Sequence, residues 1–447
     1  MKTNFIGVNN IKKNNEILIT LIIIFFSFSL CSIGLRQRYG FILLGIITVF
    51  VGCKYCGTVI NVSCLKKFVV FLFASLIIIY LIPSARYDID TVSFFIYVFI
   101  CVLTIIYSVT SYKEISKAFK IIELLGTIIA LYITFFRIFP NLYFKLIYPF
   151  LSDGTAKMML ENSSVGYGAA IGQSYTFSDY FMMLGISSAL GKNYQDIGKY
   201  NKKKVLIVIL CSGILFEGRK GELLSTLLTL IFVSIIFCHP RKITYPKTKL
   251  MFWGIGILLA IVSIPIMYKK GLLYRFVLML DRIQQKAYGM NVDFTSGRFT
   301  LWKNAISLFL SFPLLGAGWG RFANYTSGTF IEAVRNEPIK DVHNCFLQLL
   351  CETGLIGTLI ILIPLFWIYK KTLLQTIRLK RNIRTCNKII QMNIFALCMQ
   401  TYFWILFFID PVFYNPFYWC SFAIIIIIED FALKEEKLLI TNNSFQL

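Results

Sequence analysis

His343 opens the passage HNCFLQLLCETGLIG, with Asp341 two residues before it. Imidazole takes up a proton near neutrality, with a reference pKa of about 6.5, so a histidine at such a place is a candidate catalytic base and the nearby carboxylate is a candidate to orient its ring. Three arginines offer positive charge: Arg219 in EGRKGE, Arg298 in SGRFTLW and Arg321 in GAGWGRF. The planar guanidinium fork suits phosphate oxygens. Arg298 falls in the first turn of an expected helix, where backbone N–H groups already attract anions. Gly316, Gly318 and Gly320 let the backbone approach a ligand just before Arg321, although their spacing is not that of a dinucleotide fingerprint. A base with phosphate-facing guanidinium groups is the chemistry these types suggest. No metal site and no cofactor are expected: Cys53, Cys56 and Cys64 lack a fourth ligand nearby and read as small apolar side chains.

A second set of polar residues interrupts apolar stretches. Asp179 lies in GYGAAIGQSYTFSDYFMML, and Asn344, Gln348 and Glu352 recur every fourth residue along the passage that His343 opens. Polar groups at membrane depth must face a partner or water, and an intramembrane acid is a functional candidate by default. These four are expected to line a cavity.

The elements that must carry these residues are membrane helices. Hydrophobic residues make up 57% of the 447, with a mean hydropathy of +0.71. Long apolar runs recur, each near the ~20 residues that cross a bilayer, and the alternation of a transmembrane barrel is absent. The expected fold is all-α and polytopic, with about twelve transmembrane helices near 17–35, 39–53, 68–83, 91–109, 121–139, 168–190, 205–217, 222–238, 251–268, 346–369, 389–409 and 417–433. Residues 1–268 hold the first nine spans, 269–345 form one large outer loop, and 346–447 hold the last three spans and a tail. Lys12 and Lys13 precede the first apolar run, which reads as a retained helix. With both termini in the cytoplasm, 27 of the 45 Lys and Arg residues fall inside, so the net charge of +23 is a topology signal and not a nucleic-acid footprint.

This topology puts His343 outside and His239 inside. It also puts the turn at Arg219 outside, between two short spans, so that the turn dips toward the hydrocarbon and Arg219 floors an outer vestibule. Within the loop, Phe299, Trp302, Ile306 and Phe309 form one apolar face of a helix from Ser296 to Ser311, stopped by Pro313 and expected to lie along the membrane surface. Arg219, Arg298, Arg321 and His343 are expected to converge on one vestibule.

RFTLWKNAISLFLSFPLLGAGWGRF followed by HNCFLQLLCETGLIG resembles the O-antigen polymerase and O-antigen ligase superfamily of bacterial surface-polysaccharide assembly. The likeness rests on the Arg-x3-Trp helix, the Pro-Leu-Leu-Gly-x-Gly turn, and His-Asn running into Glu-x-Gly-Leu-x-Gly; EGRKGELLSTLL resembles the family's Arg-containing turn. The resemblance implies a GT-C-like, multi-pass glycosyltransferase of the bacterial inner (plasma) membrane, with the loop on the periplasmic side and amphipathic helices within it. It implies undecaprenyl-diphosphate-linked oligosaccharide as donor, membrane lipids as surroundings, and a chain-length regulator and a flippase as partners. It also implies His343 as catalytic base, and Arg219, Arg298 and Arg321 as ligands of the substrate diphosphate. Polymerisation of O-antigen or capsular repeat units is the first expectation. Ligation of the glycan to a lipid acceptor is the alternative, and flipping or transport of the lipid-linked oligosaccharide comes after both.

Overall fold

The computed structural model describes residues 112–150, 156–157, 159–160, 175–193, 201–237, 274–288, 297–326, 341–381, 387–414 and 416–444. The spans expected at 17–35, 39–53, 68–83, 91–109 and 251–268 lie outside the described residues. Those described form helices: α1 Tyr112–Ile138, α2 Pro140–Leu146, α3 Tyr175–Asn193, α4 Asn201–Glu217, α5 Lys220–Phe237, α6 Tyr274–Ala287, α7 Arg298–Ser311, α8 Phe322–Thr326, α9 Cys345–Arg381, α10 Asn387–Leu406 and α11 Pro416–Ser444. There is no strand among the described residues.

The core is built around α3 and α10. α3 packs against α1, α4 and α10, while α10 also packs against α5, α9 and α11. Both are buried nearly all round, as expected of helices with apolar residues on every face. Tyr180, Met182, Met183 and Ile186 of α3 meet Phe395, Met399 and Tyr402 of α10 in one continuous cluster. Gly213 allows α4 to approach α1 closely, since a Cβ there would sit 2.8 Å from Ala130 Cα.

Ile115–Ile138, Cys345–Leu379 and Ile389–Leu406 are long and apolar enough to cross a membrane. α5 shows the same solvent preference by its polarity. Leu224, Leu227, Leu228, Ile231 and Ile235 face outward, while Glu222, Ser225, Thr226 and Thr229 are buried. Polar-in and apolar-out is the arrangement of a helix whose solvent is lipid, where helices gain little by hiding leucine from it. The chain is an α-helical membrane protein.

α9 departs from the single span expected at 346–369. Gly354 has φ 64° and ψ −173°, which breaks the helix. Two helices result, a short one from Cys345 and a longer one after Gly354. The second spans roughly 40 Å at 1.5 Å per residue, enough to cross the membrane alone. Phe346, Phe366 and Tyr369 all contact the Trp404 ring. The short helix is therefore folded back beside the long one, and His343 enters through this hairpin rather than at the top of a straight span.

Candidate active site

The break at Gly354 is occupied by the glycine turn that follows α7. In an unbroken helix the N–H groups of Leu355 and Ile356 would bond to the carbonyls of Cys351 and Glu352. Here they donate to Pro313 O at 2.9 Å and Leu314 O at 3.2 Å. The released carbonyls of Cys351 and Glu352 accept from Ala317 N and Gly318 N, both at 2.9 Å. Residues 313–318 thus complete the helix's backbone bonding in exchange for its own. The fit leaves no room for a side chain: a Cβ on Gly316 would lie 2.4 Å from the Glu352 carbonyl, and one on Gly354 would lie 2.3 Å from Leu314 O.

α7 is docked on the same assembly. Its buried stripe is Leu301, Ala305 and Leu308, packed with Ala317, Phe322, Val342 and Cys351. Of the aromatic and aliphatic face expected from periodicity, Trp302 and Phe309 are partly buried at this contact, whereas Phe299 and Ile306 are exposed. The outward row continues through Leu310, Phe312 and Leu314. The helix starts after Gly297, whose left-handed conformation provides no side-chain cap, so Arg298 is its first residue.

The polar residues of the short helix bind its surroundings together. Asn344 caps it, accepting from Leu347 N at 3.0 Å, and its amide donates to Phe408 O at 3.3 Å. Gln348 Oε1 accepts from Val342 N at 3.2 Å, immediately before His343. Its amide donates to Glu352 Oε1 at 3.4 Å, and the same oxygen accepts from Phe322 N at 3.3 Å, just after Arg321. Gln348 and Glu352 also border a small cavity with Trp319, Leu349 and Pro411. Asp179 is instead fully buried in α3, close to Glu217 and with no hydrogen-bond partner for either carboxyl oxygen among the described residues.

The loop after α10 is stitched to the start of α9. Cys345 N donates to Phe407 O at 2.7 Å, Cys345 Sγ to Asp410 O at 3.3 Å, and Val412 N to Cys345 Sγ at 3.0 Å. These bonds bring Asp410 to His343, whose φ of 55° is the one left-handed backbone outside glycine among the described residues. His343 Nδ1 is buried and stands 3.6 Å from Asp410 Oδ1, slightly beyond hydrogen-bond length, while about a third of the side chain is exposed. The exposed part of the ring therefore lies away from Nδ1. The other oxygen of Asp410 lies 3.3 Å from Arg219 Nη2, and that nitrogen also pairs with Glu222. The carboxylate facing the imidazole is thus Asp410, from a distant loop, and not the adjacent Asp341.

Burial disfavours the charge on Asp410. The Arg219 guanidinium outweighs it, with further help from the adjacent His343 ring and the charge of Arg298, and the carboxyl is held below the ordinary carboxylate value. Burial likewise works against Arg219, but Glu222, Asp410, Asp179 and Glu217 together keep it firmly cationic. Arg298 is near enough to act on both Asp410 and Glu222, with no carboxylate within ion-pair distance among the described residues. Arg321 belongs to the glycine turn. Its N–H donates to Gly318 O at 3.2 Å and its side chain folds over Gly318, where a Cβ would meet Arg321 Cδ at 3.2 Å. The site thus joins Arg219 and His343 through Asp410, with Arg298 close by electrostatically and Arg321 on the adjoining turn.

Residues 205–362 match the family model described as O-antigen ligase. The match takes in the Arg219 turn, α7, the glycine turn and the His343 entry of α9, but stops before Asp410. No curated protein matches the chain.

Proposed function

We propose that this chain is a membrane glycosyltransferase of surface-polysaccharide assembly, which polymerises lipid-diphosphate-linked repeat units at the outer face of the inner membrane. The single observation that carries the reading is the Asp410 bridge. A base candidate and a half-buried guanidinium share one carboxylate within a helical membrane bundle. In the proposed reaction, the ring nitrogen of His343 away from Asp410 takes the proton of an acceptor sugar hydroxyl. The hydroxyl oxygen bonds to the anomeric carbon of the donor, and the bond from that carbon to the lipid diphosphate breaks. The electron pair leaves with the diphosphate. Asp410 keeps the ring oriented and offsets the charge that forms on it, as the carboxylate does in a Ser-His-Asp triad. Arg298 and Arg321 are the guanidinium groups available to the leaving diphosphate, while Arg219 is engaged with Glu222 and Asp410 and holds the base assembly. A GT-C-like architecture, with both termini cytoplasmic, belongs to the same reading, as do a chain-length regulator and a flippase as partners.

The family description favours a second reading, ligation of a finished glycan to a lipid acceptor, which uses the same bond changes with a different acceptor hydroxyl. The glycan left by a chromosomal deletion separates the two. A single repeat unit on the acceptor marks a polymerase, and full-length polymer retained on the lipid carrier marks a ligase. Wild-type surface glycan in the deletion strain would sink both.

A further inference from the structure

Asp179 of α3 and Glu217, the last residue of α4, are each fully buried. Along the antiparallel contact of α3 with α4, Gly185 meets Leu210 and Met182 meets Gly213, so one turn further on Asp179 faces Glu217, and none of the four carboxyl oxygens has a hydrogen-bond partner among the described residues. Two facing carboxylates in a dry setting cannot both ionise, so the pair requires one proton. The charged groups acting on the pair are Arg219 and Glu222 of the neighbouring turn and α5, with Asp410 also acting on Asp179. Tyr402 of α10, whose hydroxyl has no partner among the described residues, and Tyr180 of α3 adjoin the same cluster. Arg298 acts on Glu222 and Asp410 of the same network. The proposed transfer uses neither Asp179 nor Glu217, yet two acids are kept where each costs desolvation energy.

We propose that Asp179 and Glu217 share one proton and act as positioning residues for Arg219, whose guanidinium in turn holds Asp410 against His343. With one proton, the pair presents a single negative charge to Arg219 and leaves Nη2 on Glu222 and Asp410. Without it, two charges draw the guanidinium inward and Asp410 loses its anchor. The activity should therefore fall on the alkaline side as the shared proton is lost. The positioning role rests on the glycosyl-transfer reading, whereas the shared proton does not.

The test has an arm for each. Infrared spectra of the purified full-length protein in detergent at about pH 7 should show a carboxylic-acid C=O stretch that is absent from both Asp179→Asn and Glu217→Gln. Native and variant spectra that superimpose in that region would overturn the shared proton. In transfer assays with a polyprenyl-diphosphate-linked donor, each amide variant should keep neutral activity within about threefold and lose the alkaline limb, because an amide hydrogen is not titrated away. Asp179→Ala, which strands Glu217, should fall at least about tenfold, a loss equal to one pKa unit of interaction. Amide variants that keep the native alkaline limb would overturn the positioning role, and this comparison stands even if Asp179→Ala fails to accumulate. A native protein that transfers no glycan would overturn the glycosyl-transfer reading and the positioning role with it, leaving the infrared result to decide the shared proton alone.

Discussion

Asp410 stands between Arg219 and His343, with Oδ2 3.3 Å from the Arg219 Nη2 and Oδ1 3.6 Å from the His343 Nδ1. One carboxylate thus ties the turn between α4 and α5 to the left-handed entry of α9. Neither end is flexible on its own terms. Arg219 is paired again to Glu222, and the Asp410 loop is bonded through its backbone to Cys345. The arrangement fixes which edge of the imidazole is occupied and which is open.

Replacing Asp410 by Asn keeps the shape but removes the charge that would offset an imidazolium. Transfer should slow by roughly 10²–10⁴-fold, the range of a lost general-base contribution, with the KM for donor little changed because Asp410 is not a diphosphate ligand. His343→Ala should give a similar loss, and the double variant little more, since the two act as one unit. Single-turnover rates that fall additively for the two changes would argue against a shared role.

The depressed carboxyl of Asp410 makes a specific claim about acid stability. A carboxylate whose native pKa lies below its unfolded value stabilises the native state fully above the unfolded value, about 3.9 for Asp. That contribution is lost as pH falls through the lower native value. Thermal unfolding in detergent should therefore show native stability declining below about pH 4. Asp410→Asn should start lower at neutral pH and decline less over the same window. A variant with the full native decline would assign that acid sensitivity to other carboxylates.

Residue type and topology led to the expectation that His343 and Arg219 lie near one another, and one carboxylate does stand between them. Asp410 itself was not expected. It lies 191 positions from Arg219, and Asp341 was the nearer carboxylate to His343 in the chain. The only local signal was an acid closing an apolar run in FFIDPVF, which the default for intramembrane acids could have singled out. Periodicity found the helix at Arg298 but weighted its aromatic side chains, and so missed Ala305, whose small size brings α7 against α9. The stripe Asn344, Gln348 and Glu352 was visible as a pattern, but its bonds to Phe408, Val342 and Phe322 depend on loops whose placement periodicity does not encode. The helix break could not be read from Gly354 alone, because its cause is the insertion of residues 313–318.

Arg298 and Arg321 should differ from Arg219 when changed to lysine. Lysine keeps the charge but not the bidentate fork. If both arginines meet the leaving diphosphate, each lysine variant should lose about 10–100-fold in kcat/KM while the protein's melting temperature stays near native. Arg219→Lys should lower the melting temperature as well, because one guanidinium nitrogen now serves two buried carboxylates. Native melting behaviour in Arg219→Lys would mean that the Glu222–Arg219–Asp410 linkage contributes little to the fold.

The exchange of backbone bonds between the glycine turn and α9 makes Gly316 and Gly354 intolerant of even one methyl group. Alanine at either position must adopt a positive φ, at a cost of about 1–3 kcal/mol. It must also push apart backbone atoms that a Cβ would approach at 2.3–2.4 Å. Backbone cannot yield as a flexible side chain does, so the turn should be expelled from the helix break. Leu355 and Ile356 would then be free to return to Cys351 and Glu352. Straightening the helix would move His343 away from Asp410 and carry Arg321 off with the turn. Gly354→Ala and Gly316→Ala should therefore both abolish transfer, and both should increase proteolytic cleavage between α7 and α8. Gly320 offers the internal control: its φ of 78° carries the same conformational cost, but a Cβ there meets nothing within 4 Å. Gly320→Ala should retain measurable activity. Equal loss in all three variants would trace the effect to backbone conformation and not to the interlocked turn.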